Sequence, residues 1–426
     1  MNSSLSGLHF PYIKRFTILL ALTLVTPGVG AQPYIPSGAN TVVETLPESI
    51  IALSRKLRSE APAHSTVGTE RRATESLSEV ELVAIQQQAL AAYRVAAETG
   101  EPRAYGHTLA LLERWPEGRP RPALIHVLSA AVLQHNHEFP EALAELISAL
   151  AIEPNNAQAH LMRAQISLVT ADYDTARESC LALRTLIRYP LAMNCQAQLD
   201  GVTGRAEQAL AQVNDMLQRK GELSPQDHLE LNITAAGIAH RLGRVADAER
   251  HYVAALQVSP ASGYTLVNYA ALLIENRRFD DVVSLLDSLD EGAMSTEMQI
   301  LLAEALSARQ DMHSRDRAQA LTLAIQESFD AAVARGEGLP TKEFSRFALT
   351  LQQRPAEALA AALKNWALQK EPSDTLLLAQ AARSAGDVEQ LTEILRWAQL
   401  HGTQDVRLST LLSAALADAN ADQGGA

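Results

Sequence analysis

Aromatic residues are scarce in this chain, which has 426 residues, of which 4% are aromatic, 47% apolar and 20% charged. Compact cores usually obtain much of their buried area from large rings. Where rings are few, alanine and leucine can pack one helix closely against another. The balance of apolar and charged residues is that of a soluble protein, and the length is sufficient for two globular domains or one long solenoid.

Positive charge is also in short supply, since the formal net charge is -13. Proteins that bind nucleic acid neutralise phosphates with a clustered lysine and arginine face, and no such cluster is visible. We therefore expect no nucleic-acid partner. The acidic excess is interpreted as serving solubility.

Catalytic and cofactor motifs are absent as well. The sequence contains no Gly-x-Ser-x-Gly elbow, glycine-rich phosphate loop, dinucleotide fingerprint or His-Glu-x-x-His motif. No segment alternates apolar and polar residues with the period of two that a strand requires. The sequence thus predicts an all-α protein that is not an enzyme and has no cofactor and no metal site.

The first residues resemble an export signal. Lys14 and Arg15 precede the apolar run Phe16–Val25, and a stretch of small residues follows it. The run is shorter than the roughly 20 residues of a membrane-spanning helix. We expect cleavage between Ala31 and Gln32.

This signal predicts a periplasmic or secreted protein. The alternative is that the apolar run is kept as an uncleaved anchor. Lipoprotein processing is excluded because no cysteine lies near the cleavage site, and no later apolar run is long enough for a span. We therefore expect no stable membrane span after signal cleavage.

The chain has two cysteines, Cys180 and Cys195. They flank a predicted turn between helices, 187–190, almost symmetrically, and such positions face each other in an antiparallel helix pair. An exported chain folds where disulfides persist. We predict a disulfide between them; the alternative is two buried, inert thiols.

The region before the clearer repeats has two parts. Residues 32–76 are rich in proline, serine and threonine, which predicts a flexible linker. Residues 77–122 form a divergent N-terminal helical hairpin in our interpretation. Its first helix starts with a capping box of Ser78 and Glu81.

From residue 123 onward the sequence repeats. An apolar residue recurs near the start of the second helix of each pair, and successive copies are 34, 33, 39 and 34 residues apart. The step of 39 contains a five-residue insertion at the turn 221–225. The repeating positions are Ala142, Ala176, Ala209, Ala248 and Val282. Apolar spacings of three and four within each half predict helices.

These residues resemble the tetratricopeptide repeat (TPR) family, whose units are helix–turn–helix pairs of 34 residues. A small residue in each first helix matches as well, at Ala130, Ala164, Ala197, Ala236 and Ala270. The resemblance covers residues 123–296 well and 297–416 as degenerate repeats, with 417–426 left as a disordered tail. It implies a right-handed α-solenoid of antiparallel helix pairs.

The resemblance also implies a binding face, because such arrays bind partners on the concave surface of their first helices. Family members that clamp a carboxylate use lysine and asparagine there, but in the repeats of 123–296 no lysine occupies the matching positions. What remains is a neutral face of amides and tyrosines that can hold a protein or peptide. The predicted contacts are Gln165, Asn194, Gln198, Tyr264, Asn268 and Tyr269.

We therefore expect an exported TPR-like scaffold or adaptor that binds a protein or peptide partner. By analogy, we expect it to act in cell-envelope assembly or trafficking. The sequence does not indicate the oligomeric state. A first alternative is a glycan-cleaving enzyme similar to lytic transglycosylases, with Glu327 as the general acid. A second is a zinc site at His135 and His137 with the carboxylate of Glu138, although zinc sites need a third or fourth ligand at fixed geometry. A third is a purely structural spacer. His240 is interpreted as an exposed or capping residue.

Overall fold

The computed structural model describes residues 77–99, 102–219, 221, 223–289, 294–309 and 311–424. In these ranges the chain is all-α, as predicted. The predicted export signal with its cleavage site and the linker of 32–76 lie outside the described residues. Within the described ranges, none of the helices is long and apolar enough to cross a bilayer.

The described helices, numbered here in chain order, follow one another through short turns. They are α1 (Glu79–Thr99), α2 (Pro102–Leu112), α3 (Ala123–His135), α4 (Phe139–Ile152), α5 (Ala157–Val169), α6 (Tyr173–Leu186), α7 (Tyr189–Val202), α8 (Ala206–Leu217), α9 (Pro225–Arg241), α10 (Val245–Val258), α11 (Gly263–Glu275), α12 (Phe279–Leu286), α13 (Thr296–Ala308), α14 (Met312–Ala334), α15 (Thr341–Thr350), α16 (Pro355–Leu368), α17 (Pro372–Ala385), α18 (Val388–His401) and α19 (Val406–Gly424).

Each odd-numbered helix packs against the even-numbered helix that follows it, so the chain is a series of helical hairpins. Each odd helix also packs against the next odd helix, from α1 to α19. The odd helices therefore form a continuous inner layer, as the first helices of a solenoid do. The last helix, α19, ends the series and includes residues that the sequence analysis assigned to the tail.

Most of the hairpin turns share one backbone conformation. In seven of these turns one residue adopts a positive φ, which reverses the chain after the first helix. These residues are His137, Ala171, Gly204, Gly243, Arg277, Gln353 and Gly386. The first five are 34, 33, 39 and 34 residues apart, so the backbone repeats with the period of the sequence.

The marker residues of that period lie where helices touch. Each second-helix marker follows its turn residue by five positions, and Ala142, Ala176, Ala209, Ala248 and Val282 are fully buried. The first-helix markers, such as Ala164 and Ala236, are fully buried too. Small side chains are needed there because the helix backbones approach closely. The helical repeat fold is thereby confirmed; the right-handed sense stays a prediction.

Helix starts agree with local signals in the sequence. At α1 the backbone N–H of Ser78 donates to Glu81 Oε2 (2.8 Å), and the N–H of Glu81 donates to Ser78 Oγ (3.4 Å), which confirms the predicted capping box. A second box forms between Ser224 and Asp227 at α9. The five-residue insertion therefore ends at a firmly capped helix.

The predicted disulfide is present. Cys180 of α6 and Cys195 of α7 are bonded, and their Cα atoms are 5.6 Å apart. Both side chains are buried, beside Ala164 and Leu183. The bond joins the second helix of one hairpin to the first helix of the next, so it fixes two neighbouring repeats to each other.

The C-terminal hairpins fold back onto the turns of earlier hairpins. The backbone N–H of Lys370 donates to the carbonyl oxygen of Val169 at 2.7 Å. The backbone N–H of Ala206 donates to Gln404 Oε1 at 2.8 Å. The ring of His401 packs edge-on against Tyr173, with centroids 5.1 Å apart. We call this contact the seam.

The seam closes the solenoid into a ring-like turn. Near its middle, Gly204 and Gly402 are so close that a Cβ atom on Gly204 would lie 3.2 Å from the carbonyl oxygen of Gly402. Because residues about 200 positions apart meet here, part of the inner layer of odd helices becomes enclosed.

Candidate ligand-binding cavity

Closure at the seam leaves a cavity of about 700 Å³ on the inner face. Its walls come almost entirely from the odd helices α9, α11, α13, α15 and α17, and Arg407 of α19 reaches in from the seam side. Apolar residues such as Val267, Ile274 and Leu376 alternate there with charged side chains. Such a mixture is typical of sites that bury a ligand and orient it by a few polar groups.

One side of the cavity has a bidentate ion pair. Arg346 of α15 donates from Nε and Nη2 to the two carboxylate oxygens of Glu304 on α13, both at 2.7 Å. The hydroxyl of Thr350 donates to the same carboxylate at 2.8 Å. Arg346 is therefore fully engaged within the wall, and it ties α13 to α15.

A second ion pair crosses three helices. Nζ of Lys342 on α15 lies 3.4 Å from Glu297 Oε1 on α13 and 3.9 Å from Asp374 Oδ1 on α17. Burial lowers the pKa of Lys342, but the surrounding carboxylates, Glu297 foremost, outweigh burial and hold the pKa above its ordinary value. Lys342 thus stays an ammonium group inside the cavity.

The third cluster joins the seam to the cavity. Arg407 donates from Nη2 to Asp405 at 2.6 Å and from Nη1 to Glu275 at 3.1 Å. His240 Nε2 lies 2.7 Å from Glu275, and its side chain is only 6% exposed. The interpretation of His240 as an exposed or capping residue is therefore wrong, since α19 covers it.

Two carboxylates of the cavity wall remain outside these pairs. Glu343 of α15 is 2% exposed, and its Oε1 has no hydrogen-bond partner in the described part of the chain. Burial, reinforced by the charge of Glu297, raises the pKa of Glu343 to about 7. Burial and Asp374 likewise raise the pKa of Glu371 to about 7. Five glutamates and four lysine or arginine side chains, Arg241 among them, therefore line the cavity.

Two of the six predicted contact residues line this cavity. Tyr264 and Asn268 are both in its wall on α11, and the Asn268 side-chain amide donates to the Tyr264 carbonyl oxygen at 2.8 Å. Burial raises the pKa of the Tyr264 hydroxyl to about 12, so it stays protonated. That hydroxyl and the amide oxygen of Asn268 are polar groups within the wall.

The other four predicted residues lie away from the cavity. Gln165 and Asn194 are buried on α5 and α7. Gln198 donates to Thr234 Oγ1 at 3.3 Å, and Tyr269 donates to Glu249 Oε1 at 2.7 Å. Tyr269 also stacks on Tyr252 of α10. Gln198 and Tyr269 thus serve contacts between helices in this structure, and partner contact of all four residues stays a prediction.

The charged wall was not predicted from the sequence, because it lies mainly in the region assigned to degenerate repeats. The clamp positions of residues 123–296 hold no lysine, but Lys342 and Arg346 occupy α15 further along. A signal was available: these two residues are four apart on a first helix, so they share one face. That face is the inner one.

The two chemical alternatives find little support in the geometry. Glu327 is exposed on α14, an outer helix, and does not line the cavity. His135 stacks on Tyr105 with centroids 3.6 Å apart, and burial lowers its pKa to about 4. The described residues contain no group of three or more side chains placed to hold a metal ion.

Several helical-repeat proteins of solved structure are distantly similar to this chain. No protein-family model matches the sequence, and no curated protein matches it. PilW, a type IV pilus biogenesis factor, is 17% identical; the match covers 49% of this chain and 94% of that one, with a TM-score of 0.39. A tetratricopeptide repeat protein from Parabacteroides merdae is 14% identical, with 70% and 99% covered and a TM-score of 0.34.

Human IFIT1, solved as a dimer with PPP-AAAA, is 13% identical, with 80% and 86% covered and a TM-score of 0.40. At such identities and scores these likenesses carry no argument about function. The helix pairs, their period and the layer of odd helices decide the architecture. The fold is a tetratricopeptide-like helical repeat.

Proposed function

We propose that the protein is an exported, non-enzymatic scaffold that holds a short segment of a protein partner in its central cavity. Assembly or trafficking in the cell envelope is the process we propose for it. Export rests on the signal-like N-terminus, and the process rests on analogy with other exported repeat proteins.

The observation that carries this proposal is the cavity on the inner layer. Its volume of about 700 Å³ falls in the range of sites that enclose a small ligand, roughly 300–1,000 Å³. A chain terminus or a single loop of a few residues fits such a space, whereas a long extended peptide does not. Tyr264 and Asn268 offer polar groups to the backbone of the segment.

A cavity-filling substitution tests this function. Ala271 lines the cavity on α11, whereas Ala324 is exposed on the outer helix α14. We expect Ala271→Trp to abolish partner capture in crosslinked pull-downs from the native envelope, and Ala324→Trp to leave it unchanged. Equal capture by both variants would favour a purely structural spacer.

A photo-crosslinking amino acid identifies the segment. Placed at Asn268 in the cavity wall, it should yield an adduct with one partner whose modified peptide is short and contiguous. The control position is Leu323, which is 56% exposed on α14. If both positions give the same adducts, the partner does not enter the cavity.

Localisation is tested on its own. Fractionation of the native cell should place the mature chain in the periplasm or the medium, and N-terminal sequencing should begin at Gln32. Recovery of the full-length chain with the membrane fraction would instead indicate an uncleaved anchor.

A further inference from the structure

We infer that the partner segment presents an alkylammonium group, from a lysine side chain or a free N-terminus, and that Glu343 and Glu371 bind it. This inference rests on the proposed function and adds the chemistry of the ligand. It concerns the part of the cavity between α13, α15 and α17, where most of the wall carboxylates lie.

The pairing of charges is the first observation. Three of the four lysine and arginine side chains of the wall form ion pairs: Arg346 with Glu304, Lys342 with Glu297 and Asp374, and Arg407 with Asp405 and Glu275. The fourth, Arg241, donates from Nη2 to the carbonyl oxygen of Gly201 at 2.9 Å, and five glutamates line the same cavity. Glu343 and Glu371 form no ion pair with lysine or arginine among the described residues. An enclosed space with excess negative charge attracts a cation.

The hydrogen bonds of Glu343 are the second observation. Its carboxylate lines the cavity, is 2% exposed, and leaves Oε1 without a donor in the described ranges. Burying a carboxylate oxygen without a donor is costly, so natural structures almost always provide one. A ligand with N–H groups supplies the donor that the wall lacks.

Glu371 is the matching group on the neighbouring element. It caps α17, and its side chain accepts the backbone N–H of Asp374. A carboxylate has about four lone-pair positions, so acceptor capacity remains after this bond. Glu343 and Glu371 thus contribute acceptors from α15 and from the N-terminus of α17 to one space.

An ammonium fits this space better than other cations. It is compact and has three N–H donors, which suits carboxylates that approach from several helices. Lys342 already shows this arrangement, since its Nζ contacts carboxylates of α13 and α17. A metal ion fits less well, because the described residues hold no set of three or more ligands at metal-binding geometry.

Calorimetry with defined probes tests the inference. The probe is the capped tripeptide Ac-Ala-Lys-Ala-amide, and its control carries acetyl-lysine in place of lysine. A third probe, Ala-Ala-Ala-amide, offers only an N-terminal amine, and cadaverine offers a free diamine. We expect at least one of the two peptide amines to bind. We also expect acetylation to lower the affinity of the lysine peptide at least tenfold.

Variants connect the binding to the carboxylates. Glu343→Gln should lower the affinity for the peptide that binds at least tenfold, and Glu371→Gln should lower it as well. Glu389→Gln, at an exposed carboxylate of α18, is the control and should bind as the wild type does. A thermal melt of each variant confirms folding, and the two site variants serve as independent tests if one fails to fold.

The outcomes separate the inference from the proposed function. Binding of cadaverine alone, or equal binding of lysine and acetyl-lysine peptides, would overturn the inference. So would partner capture that is lost in Ala271→Trp but unchanged in both site variants, although the proposed function would then stand. Unchanged capture by Ala271→Trp would instead remove the proposed function itself.

Discussion

At the scale of single residues, the turns inside the hairpins reveal a conflict between backbone and side chain. Seven of the described hairpin turns have a residue with a positive φ, and glycine supplies it only at Gly204, Gly243 and Gly386. Elsewhere a residue with a Cβ atom takes the same conformation, as Gln353 does at a φ of 53°. The left-handed region costs an L-residue about 1–2 kcal/mol, so these turns are sites of local strain.

Gln353 is the cleanest place to relieve that strain, because it is exposed. We expect Gln353→Gly to stabilise the protein by about 0.5–1 kcal/mol, since glycine removes the strain but has more freedom when unfolded. Gln353→Ala is the matched control and should give no such gain. Urea unfolding measures both, and equal midpoints for the glycine and alanine variants would contradict the prediction.

Glu343 gives a prediction for pH. Its pKa is about 7 in the folded protein, above its ordinary value of 4.5, because of burial and of Glu297. The folded state therefore holds the proton more tightly than the unfolded state does. The stability that Glu343 contributes is fully present below about pH 4.5, and it is lost as pH rises towards 7. Lys342 and Asp374 face the same carboxyl and modulate this loss.

Glu343→Gln removes this dependence. We expect the variant to gain on the order of 2 kcal/mol relative to the wild type on going from pH 4.5 to pH 8. The measurement is the free energy of unfolding at both values, and Glu389→Gln is the control. The prediction is wrong if the difference between wild type and Glu343→Gln is the same at pH 4.5 and pH 8.

At the scale of elements, the period predicted most of what the structure has. Apolar spacing identified the helices, and the alanine markers located the contacts within hairpins, because these features depend on neighbours close in sequence. The disulfide could be predicted for the same reason, since Cys180 and Cys195 flank one turn. The charges of α15 were harder to assign, because degenerate repeats no longer mark which helix face is the inner one.

The disulfide supports a prediction for the hairpins that it joins. It closes a loop of 15 residues, which corresponds to roughly 3 kcal/mol of stability in the chain-entropy account. We expect reduction to lower the urea midpoint of the wild type. The Cys180→Ala/Cys195→Ala variant should unfold at the same urea concentration with and without reductant. An oxidised wild type whose thiols react with a labelling reagent would contradict the prediction.

At the scale of the whole molecule, closure decides which residues form the cavity, and closure was not predictable from the period. Each repeat adds a small rotation, and only the sum over several repeats brings Val169 to Lys370. No local motif encodes that sum. For this reason Gln165 and Asn194 were predicted on an open groove, while the enclosed space formed between α9 and α19.

A pair of glycine variants can separate the stability that the seam contacts contribute from the cost of backbone strain in a turn. Gly204 and Gly386 both adopt a positive φ, but a Cβ atom would meet the seam backbone only at Gly204; at Gly386 it meets nothing within 4 Å. We expect Gly386→Ala to cost about 1 kcal/mol from strain alone and Gly204→Ala to cost at least about 1 kcal/mol more from overpacking.

Hydrogen exchange identifies the seam directly. The amide of Lys370, which donates to Val169 across the seam, should exchange faster in Gly204→Ala and at the wild-type rate in Gly386→Ala. We also expect Gly204→Ala to weaken partner capture, because Arg407 of α19 lines the cavity and lies beside the seam. If the Lys370 amide exchanges equally in both variants, the seam is not held at Gly204, and enclosure of the inner layer must depend on the contacts of Arg407 instead.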